Sequence, residues 1–271
     1  MTFREAVFYG ILQGLTEFLP VSSSGHLALL HTFFGRENAG TDICFDILLH
    51  LATLIVVLVV YRKDIFALFP AAFSVFGKIF RGHFRFSFCT EAERMVILLT
   101  VATVPLIGAL FLEDAVGLLA LYPRVIGLLL ILNGCLLLAA DAFAAKGKTL
   151  SPKGAFGIGF FQLLAIVPGI SRSGSTIAGG MLFGLYRKEA VKFSFLMSVP
   201  AILGANILNI PDAIAAFPRG DALIYTLAGM AAATVSGFLA VKLLHYIAKK
   251  EKFGSFAYYC IIIGILSVLW L

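Results

Sequence analysis

The chain has 271 residues, of which 60% are hydrophobic and 13% are charged, and its formal net charge is +6. Ordinary soluble domains are about 45–50% apolar and about 25% charged, so the composition excludes that class and predicts a single polytopic integral membrane domain. The N-terminus has no basic region or small-residue cleavage site, so no cleavable signal peptide is expected. The four cysteines are too scattered to suggest a disulfide framework or a zinc site.

Taken in chain order, the apolar pattern predicts a broken apolar stretch, three spans, a second broken stretch and three more spans. A helix needs about 20 residues to cross a bilayer. Six uninterrupted segments are long enough, namely 43–61, 95–112, 125–145, 191–209, 222–247 and 253–271. The stretches 5–34 and 154–185 are equally apolar but are interrupted in the middle by proline, glycine and serine.

Lysine and arginine are concentrated in alternate loops. Cytoplasmic loops of membrane proteins hold an excess of these residues. The basic loops, which we expect inside, are 62–94, 146–153, 187–192 and 249–252. The loops with more acids than bases, which we expect outside together with the C-terminus, are 35–42, 113–124 and 210–221. The basic excess therefore indicates orientation in a membrane and no nucleic-acid partner.

The two broken stretches are similar to each other when they are aligned with a shift of 149 residues. The polar matches are Gln13 with Gln162, Ser22 with Ser171, and Ser24 with Ser173, and two glycine pairs also match, Gly10 with Gly159 and Gly25 with Gly174. The matches predict two repeats, about 1–145 and about 154–271. Each broken stretch precedes three spans, so the second repeat is expected to be inverted, as in many transporter folds.

We therefore interpret 5–34 and 154–185 as re-entrant helix–loop–helix hairpins that enter from opposite faces and meet at their tips. Irregular backbone at membrane depth is tolerated where it is buried in protein or lines a wet cavity. The alternative is that each stretch is a kinked transmembrane helix, because proline and glycine are frequent in such helices.

The first tip has the sequence QGLTEFLPVSSSGH, residues 13–26. Gln13 and Glu17 are four residues apart and share one helix face, which is compatible with an oxygen-lined Mg²⁺ or Ca²⁺ position. Serines and a histidine are typical of a nucleophile with its general acid or base; here they are Ser22, Ser23, Ser24 and His26. The alternative is that the serines cap helices and that His26 is an interior histidine.

The second tip has the sequence PGISRSGST, residues 168–176, with hydroxyls at Ser171, Ser173, Ser175 and Thr176. An arginine at the start of a helix, surrounded by hydroxyls and glycines, is suited to bind an anion, because the guanidinium forks onto phosphate oxygens and the helix N-terminus presents free N–H groups. Arg172 is that residue. The alternative is that Arg172 pairs structurally with Glu17.

Other histidines and acids are weaker candidates. His31 is expected toward the outer edge, and Asp46 and His50, four residues apart on the first span, line the cavity or pair with each other. His83 and His245 lie near basic clusters and are expected to be solvated.

The run QGLTEFLPVSSSGH and the run PGISRSGSTIAGGM together resemble the two signature motifs of the bacterial undecaprenyl-diphosphate phosphatases, the bacitracin-resistance family. The first carries that family's acidic pattern at Gln13 and Glu17. The second carries its Pro-Gly-x-Ser-Arg-Ser-x-x-Thr pattern from Pro168 to Thr176. The length and the later residues Gly184, Arg187, Ala190 and FSFL at 193–196 also fit, so the resemblance covers essentially the whole chain.

One position departs from the usual pattern of that family. Many members have glutamate where this chain has Gln13. The amide leaves a cation one fewer charged ligand, and it puts any role of position 13 as a base in doubt.

The resemblance implies removal of the terminal phosphate from undecaprenyl diphosphate, a polyprenyl diphosphate lipid, which recycles the carrier for cell-wall synthesis and confers bacitracin resistance. It also implies a divalent cation, Mg²⁺ or Ca²⁺, and a site reached from the outer side of the bacterial cytoplasmic (inner) membrane. The fold expected is an all-α polytopic membrane protein with six transmembrane helices and two re-entrant hairpins.

On this interpretation Arg172 holds the diphosphate, Glu17 positions the cation, and Ser23 is the nucleophile, with His26 activating it or protonating the leaving group. The expected substrate-binding residues are Gln13, Ser22, Ser24, Ser171, Ser173 and Thr176. A water nucleophile is the alternative mechanism. A lipid or anion transporter on the same scaffold is the alternative function, because fold alone does not fix function. The oligomeric state stays open, with a homodimer as one alternative.

Overall fold

A computed structural model of the chain describes residues 1–33, 43–119, 121–143, 147–215, 217–250 and 253–271. Some sequence-based predictions fall outside these ranges. They concern the outer loop 35–42 with Glu37 and Asp42, and the basic residues Lys146 and Lys252.

The described residues fold into α-helices and two 3₁₀ helices, and no strand occurs among them. The first half contains α1 (Phe3–Phe18), α2 (Ser23–Phe33), α3 (Ile43–Val60), α4 (Arg62–Phe80), a 3₁₀ helix (Phe86–Phe88), α5 (Glu91–Thr103), a 3₁₀ helix (Val104–Phe111), α6 (Glu113–Leu119) and α7 (Pro123–Phe143). The second half contains α8 (Pro152–Leu164), α9 (Arg172–Leu182), α10 (Arg187–Leu208), α11 (Ile210–Ala215), α12 (Asp221–Lys250) and α13 (Gly254–Trp270).

All six predicted spans coincide with apolar helices. Within the described ranges, four helices are long and apolar enough to cross a membrane, namely Glu91–Phe111, Pro123–Phe143, Arg187–Leu208 and Asp221–Lys249. The helices α3 and α4 together pass the same test as a bent pair, and α13 is a shorter apolar helix. The all-α, polytopic membrane fold is therefore confirmed.

The predicted inner loop 62–94 is not simply a loop, because its first part is α4. This helix bends away from α3 by 86°. Five of its phenylalanines recur every three or four residues and are exposed, namely Phe66, Phe69, Phe73, Phe76 and Phe80. An apolar face flanked by basic residues is typical of a helix that lies in the membrane interface. The six basic residues of the segment hid this helical period in the sequence.

The two broken stretches have matching secondary structure. A shift of 149 places the bounds of α2 on those of α9, and the start of α1 on the start of α8. The glycine pair Gly10 and Gly159 also has matching roles. A Cβ at Gly10 would lie 2.1 Å from the carbonyl oxygen of Gly229, and a Cβ at Gly159 would lie 2.3 Å from that of Ala102. Each glycine thus allows a neighbouring helix to pack closely, α12 against α1 and α5 against α8.

The apolar core holds the second broken stretch, which consists of α8 and α9, in a fixed position. Helix α9 packs against α7, α8 and α10, and its residues from Ser173 to Met181 are all buried. Ile177 and Met181 belong to the largest apolar cluster, together with Leu137 of α7 and Phe195 of α10. The start of α9 is therefore fixed in position by packing on three sides.

Candidate active site

The break between α1 and α2 lies against the break between α8 and α9, as predicted for the two tips. Ser22 is a non-glycine residue with a positive φ of 71°, a conformation that is uncommon and is often found at functional sites. This conformation lets its hydroxyl accept hydrogen bonds from the N–H of Gly25 at 3.2 Å and from the N–H of Gly169 at 3.2 Å. One side chain therefore caps α2 and binds the opposite tip.

Asn133 of α7 joins the two tips a second time. Its Nδ2 donates to the carbonyl oxygen of Pro20 at 3.0 Å, and its Oδ1 accepts from the N–H of Ser171 at 3.0 Å. The side chain is fully buried. Sequence reasoning missed this residue, although an asparagine in the middle of an apolar span was an available signal.

Glu17 is the centre of the polar cluster at the tips. It is buried, and its Oε1 accepts from Nη2 of Arg172. Its Oε2 accepts from Nε2 of Gln13 at 3.1 Å and from the hydroxyl of Ser23 at 3.0 Å. The structure therefore brings four of the predicted site residues into direct contact, and the Arg172–Glu17 pair that we considered as an alternative is present.

The contacts around Glu17 leave some buried polar atoms of this cluster without a hydrogen-bond partner. Among the described residues, Nη1 of Arg172 and Oε1 of Gln13 are buried without a hydrogen-bond partner. Leaving such a group unsatisfied costs about 1–3 kcal/mol, and more when it is charged. Arg172 thus retains a free donor for an anion, and Gln13 retains a free acceptor for a cation or a donor.

The hydroxyls of the second tip mostly bind the protein itself. Ser171 accepts from the N–H of Gly174 at 3.1 Å as the N-cap of α9, and its hydroxyl lies 3.1 Å from that of Ser173. Ser173 also donates to the carbonyl oxygen of Leu19 at 3.2 Å. These bonds hold the start of α9 against the first tip.

Two other predicted binding residues lie in contrasting surroundings. Thr176 is buried; it donates to the carbonyl oxygen of Arg172 at 2.8 Å, and its hydroxyl lies 2.6 Å from that of Ser194. Ser24 is exposed. Thr176 therefore supports α9 from inside, whereas Ser24 faces away from the packed cluster.

His26 does not contact Ser23 through any hydrogen bond of the described residues. Its Nδ1 lies 2.7 Å from the carbonyl oxygen of Ser22, and its Nε2 lies 2.8 Å from the hydroxyl of Tyr259. The two rings are stacked at 5.6 Å. Both nitrogens are thus engaged in this state, and Glu17 is the group that contacts the Ser23 hydroxyl.

A cavity of about 790 Å³ opens beside this cluster. It is lined mainly by apolar side chains of α3, of the 3₁₀ helix Val104–Phe111, of the residues that follow α8, and of α10, with Arg172, His50 and Gln162 among its few polar residues. A second apolar cavity of about 540 Å³ shares Thr103 and Pro200 with it. Pockets of about 300–1,000 Å³ with few polar groups are typical ligand sites.

His50 connects the cavity with the polar cluster. Its Nδ1 lies 3.2 Å from Nε2 of Gln13 and 3.7 Å from Oε2 of Glu17. It lines the cavity together with Asp46, as one of our two sequence-based alternatives expected. His245, which we expected to be solvated, lies instead 2.7 Å from the hydroxyl of Tyr61 and is partly buried. The side chain of His31 lies outside the described part of the chain.

The bacitracin resistance protein BacA family matches residues 6–266 of this chain. The chain belongs to the BacA family. Its relatives include three proteins named undecaprenyl-diphosphatase. The protein of Methanobrevibacter smithii is 39% identical over 272 residues, 98% of this chain and 96% of the relative. The protein of Gemmatimonas aurantiaca is 40% identical over 270 residues, which cover 98% of this chain and 96% of the relative. The protein of Parabacteroides distasonis is 39% identical over 274 residues, which cover 99% of this chain and 98% of the relative.

The BacA match spans both tips and all of the helices around the cavity. The names of these three relatives describe a phosphatase, and none of them describes a transporter. The transporter alternative that the inverted repeat suggested therefore has no support from these relatives.

The donor set of this BacA family member suits a cation shared with a ligand. No group of three or more His, Cys, Asp or Glu side chains that could hold a metal occurs among the described residues. Gln13 Oε1 is buried without a partner, and it lies on the same helix face as the Glu17 carboxylate. Mg²⁺ is commonly bound by one or two carboxylates together with substrate phosphates, and the two side chains fit that pattern.

Proposed function

We propose that this chain hydrolyses undecaprenyl diphosphate to undecaprenyl phosphate and inorganic phosphate. The observation that supports the proposal most strongly is the cluster of Ser23, Glu17 and Arg172 at the tips. A hydroxyl, a carboxylate and an arginine with an unused N–H group are in contact, and the arginine also lines an apolar cavity. A lipid diphosphate has the matching parts, an anionic head and an apolar chain.

The relatives supply the identity of the substrate. Proteins that are 35–40% identical over nearly the whole chain carry the name undecaprenyl-diphosphatase. Their name and the cluster at the tips lead to the same reaction, the cleavage of a phosphoanhydride bond. The monophosphate product is the lipid carrier reused in cell-wall synthesis, and a smaller pool of the diphosphate lipid accounts for bacitracin resistance.

In the proposed mechanism, the hydroxyl oxygen of Ser23 attacks the terminal phosphorus. The proton of that hydroxyl passes to Glu17, whose Oε2 already accepts it at 3.0 Å. The bond from the terminal phosphorus to the bridging oxygen breaks, and undecaprenyl phosphate leaves with the bond electrons. Water then attacks the phosphorus of the phosphoserine, the bond to the serine oxygen breaks, and Glu17 returns its proton to that oxygen, which releases inorganic phosphate and restores the hydroxyl. In the alternative mechanism, water attacks directly and Glu17 accepts its proton.

Arg172 stabilises the charge that develops on the terminal phosphate. Its planar guanidinium can bind two oxygens at once, and its Nη1 is the unused group. The start of α9 adds N–H groups and the positive end of the helix dipole. Such contacts act where charge builds up in the transition state, and each is worth about 2.7–4 kcal/mol.

A divalent cation, Mg²⁺ or Ca²⁺, is part of the proposal. The residues that would hold it are Glu17 and Gln13, through their side-chain oxygens. Bound there, it would neutralise phosphate oxygens, the electrostatic role that metals have in phosphoryl transfer. His26 and Tyr259 would help to keep the start of α2 in position, since His26 contacts both the carbonyl oxygen of Ser22 and the hydroxyl of Tyr259.

The test of this function is phosphate release by the purified protein in detergent. Undecaprenyl diphosphate and farnesyl diphosphate are supplied, each with Mg²⁺, with Ca²⁺ or with a chelator. We expect release from both lipids and loss of release with the chelator. Release from neither lipid in any condition would overturn the proposal, and release that the chelator does not change would remove the cation from it.

We also propose that the site opens to the outer side of the cytoplasmic membrane. The basic loops support this orientation, because they place 62–94 inside and 210–221 outside. Single cysteines replacing Arg219 and Lys153, both exposed, are introduced into a background without the native cysteines. An impermeant maleimide added to whole cells should label the first and not the second. If only the Lys153→Cys variant is labelled, the protein has the opposite orientation and the proposal is wrong.

A further inference from the structure

Gln162 is the most conspicuous polar group that the proposed reaction leaves without a role. The residue lies near the end of α8 and is only 2% exposed. Both Nε2 and Oε1 of its amide lack a hydrogen-bond partner among the described residues. Buried amides are nearly always paired in native proteins, so an amide with both ends unpaired indicates a ligand.

The position of Gln162 in the cavity indicates what kind of ligand its amide would bind. The residue lines the apolar cavity beside Arg172, and His50 lines the same cavity. His50 contacts Gln13 and Glu17, so it stands at the border between the polar cluster and the cavity. Gln162, His50 and Arg172 are therefore among the polar groups that a molecule extending from Ser23 into the cavity would meet.

The order of groups along a lipid diphosphate is fixed by its covalent structure. The terminal phosphate comes first, then the bridging oxygen, then the inner phosphate and then the isoprenoid chain. With the terminal phosphate beside Ser23 and the chain in the apolar cavity, the inner phosphate lies at the border between them. His50 stands at that border, and Gln162 lines the same cavity.

We infer that Gln162 and His50 form a subsite for the inner phosphate, the one that the lipid keeps. This inference rests on the proposed function. The amide Nε2 of Gln162 would donate to a phosphate oxygen after a rotation of its side chain. The ring of His50 lines the same cavity and would place a ring nitrogen as the second donor to that phosphate.

This subsite predicts a pattern of inhibition that a structural role for Gln162 would not produce. The phosphate of the product lipid is the inner phosphate, so a prenyl monophosphate should bind through the subsite. Inorganic phosphate should instead compete for the terminal position beside Ser23 and Arg172. The two inhibitors therefore report on two halves of one site.

The experiment compares the inhibition constants of farnesyl monophosphate and inorganic phosphate in the purified full-length protein. Gln162→Met keeps the volume and removes the amide, and His50→Leu removes the ring donor. Thr103→Val is the matched control, because Thr103 lines the same cavity but its hydroxyl already donates to the carbonyl oxygen of Leu99 at 2.8 Å.

In both variants we expect the inhibition constant of farnesyl monophosphate to rise about tenfold, the loss typical of a hydrogen bond to a charged group. The constant for inorganic phosphate should stay nearly unchanged, and Thr103→Val should change neither constant. Gln162→Glu should weaken farnesyl monophosphate further, because a carboxylate repels the phosphate. Equal changes for both inhibitors, or none for farnesyl monophosphate, would overturn the subsite.

Binding measured without turnover separates this inference from the proposed function. Farnesyl monophosphate should raise the thermal unfolding temperature of the wild type more than farnesol does, and Gln162→Met should lose that difference. If the wild type releases no phosphate but shows this pattern, the function fails and the subsite stands. If the wild type is active and Gln162→Met keeps the difference, the function stands and the subsite fails. Unfolding temperatures without ligand, compared across variants, identify any variant that does not fold.

Discussion

Ser23 and Arg172 are the first residues of α2 and α9, and a shift of 149 places them at equivalent positions of the two tips. Both contact the same carboxylate, Glu17, one through a hydroxyl and the other through a guanidinium. The residue before each is a serine that caps its helix, Ser22 and Ser171. The backbone is therefore repeated, whereas the chemistry at the start of the helix differs.

Glu17 itself has no acidic counterpart, because the equivalent position of the second tip is Ile166, which lines the apolar cavity. In the proposed mechanism the first tip thus supplies the reacting groups, and the second supplies the group that binds the anion. A repeat supplies two helix N-termini that face each other, and substitution at a few positions gives each a different task. The equivalent positions at which the two tips differ are therefore the ones to test by substitution.

The largest effect is expected for the residue that starts the first tip. Ser23→Ala should lower turnover by about a thousandfold or more if Ser23 is the nucleophile, because the covalent route is then lost. Ser24→Ala is the matched control, since Ser24 is the neighbouring serine and is exposed; it should stay near the wild type. Phosphate release at saturating lipid measures both. A Ser23→Ala variant within about tenfold of the wild type would favour the water nucleophile.

An intermediate effect is expected at the matching glycines of the two tips. A Cβ at Gly25 would lie 2.9 Å from the Cα of Gly169, so backbone of the opposite tip would have to move. A Cβ at Gly174 would meet only side chains, the nearest being Cβ of Ser171 at 3.0 Å.

Gly25→Ala should therefore lower turnover at least about tenfold and also lower the unfolding temperature, since overpacking costs about 1–3 kcal/mol. Gly174→Ala should have the smaller effect on both. Turnover and thermal unfolding of the two purified variants give the comparison. The opposite ranking would mean that the tips are not packed as closely as Gly25 indicates.

The smallest effect is expected for the repeat-related glutamine of the first tip. Gln13→Glu restores the acid that many relatives are expected to carry, and it should keep turnover within about threefold of the wild type, well short of the cost of losing a transition-state contact. It should also lower the Mg²⁺ concentration required for half-maximal rate, because a second carboxylate strengthens binding of a hard cation. Titration of the rate with Mg²⁺ measures this. An unchanged requirement would argue against Gln13 as a cation ligand.

Much of the fold was predictable, because long apolar runs and the positions of prolines and glycines are local signals. The spans, the two breaks and the similarity of the tips follow from such signals. Helix α4 was missed because its phenylalanine period lies within a basic segment. In the site, Glu17, Ser23 and Arg172 stood out as polar groups in apolar surroundings.

The remaining contacts of the site depend on tertiary packing that no local pattern encodes. Asn133 bonds both tips from a helix more than a hundred residues away from the first. His50 approaches Gln13 from α3, and Tyr259 takes up one nitrogen of His26 from α13. The sequence suggested His26 as the partner of Ser23 because serines and a histidine at one tip are typical of a nucleophile with its general acid or base. The fold instead directs the nitrogens of His26 to other groups.

The central claim is that the second tip grips phosphate through Arg172, while the first tip carries out the reaction. Arg172→Lys tests this claim most directly, because lysine can keep the ion pair with Glu17 but loses the planar fork and its unused Nη1. The measurement is phosphate release at saturating undecaprenyl diphosphate by wild type, Arg172→Lys and Arg172→Ala. We predict that lysine fails almost as badly as alanine, with turnover about a hundred- to a thousandfold below the wild type. A lysine variant within about threefold of the wild type would contradict the claim and leave Arg172 as a counter-charge for Glu17.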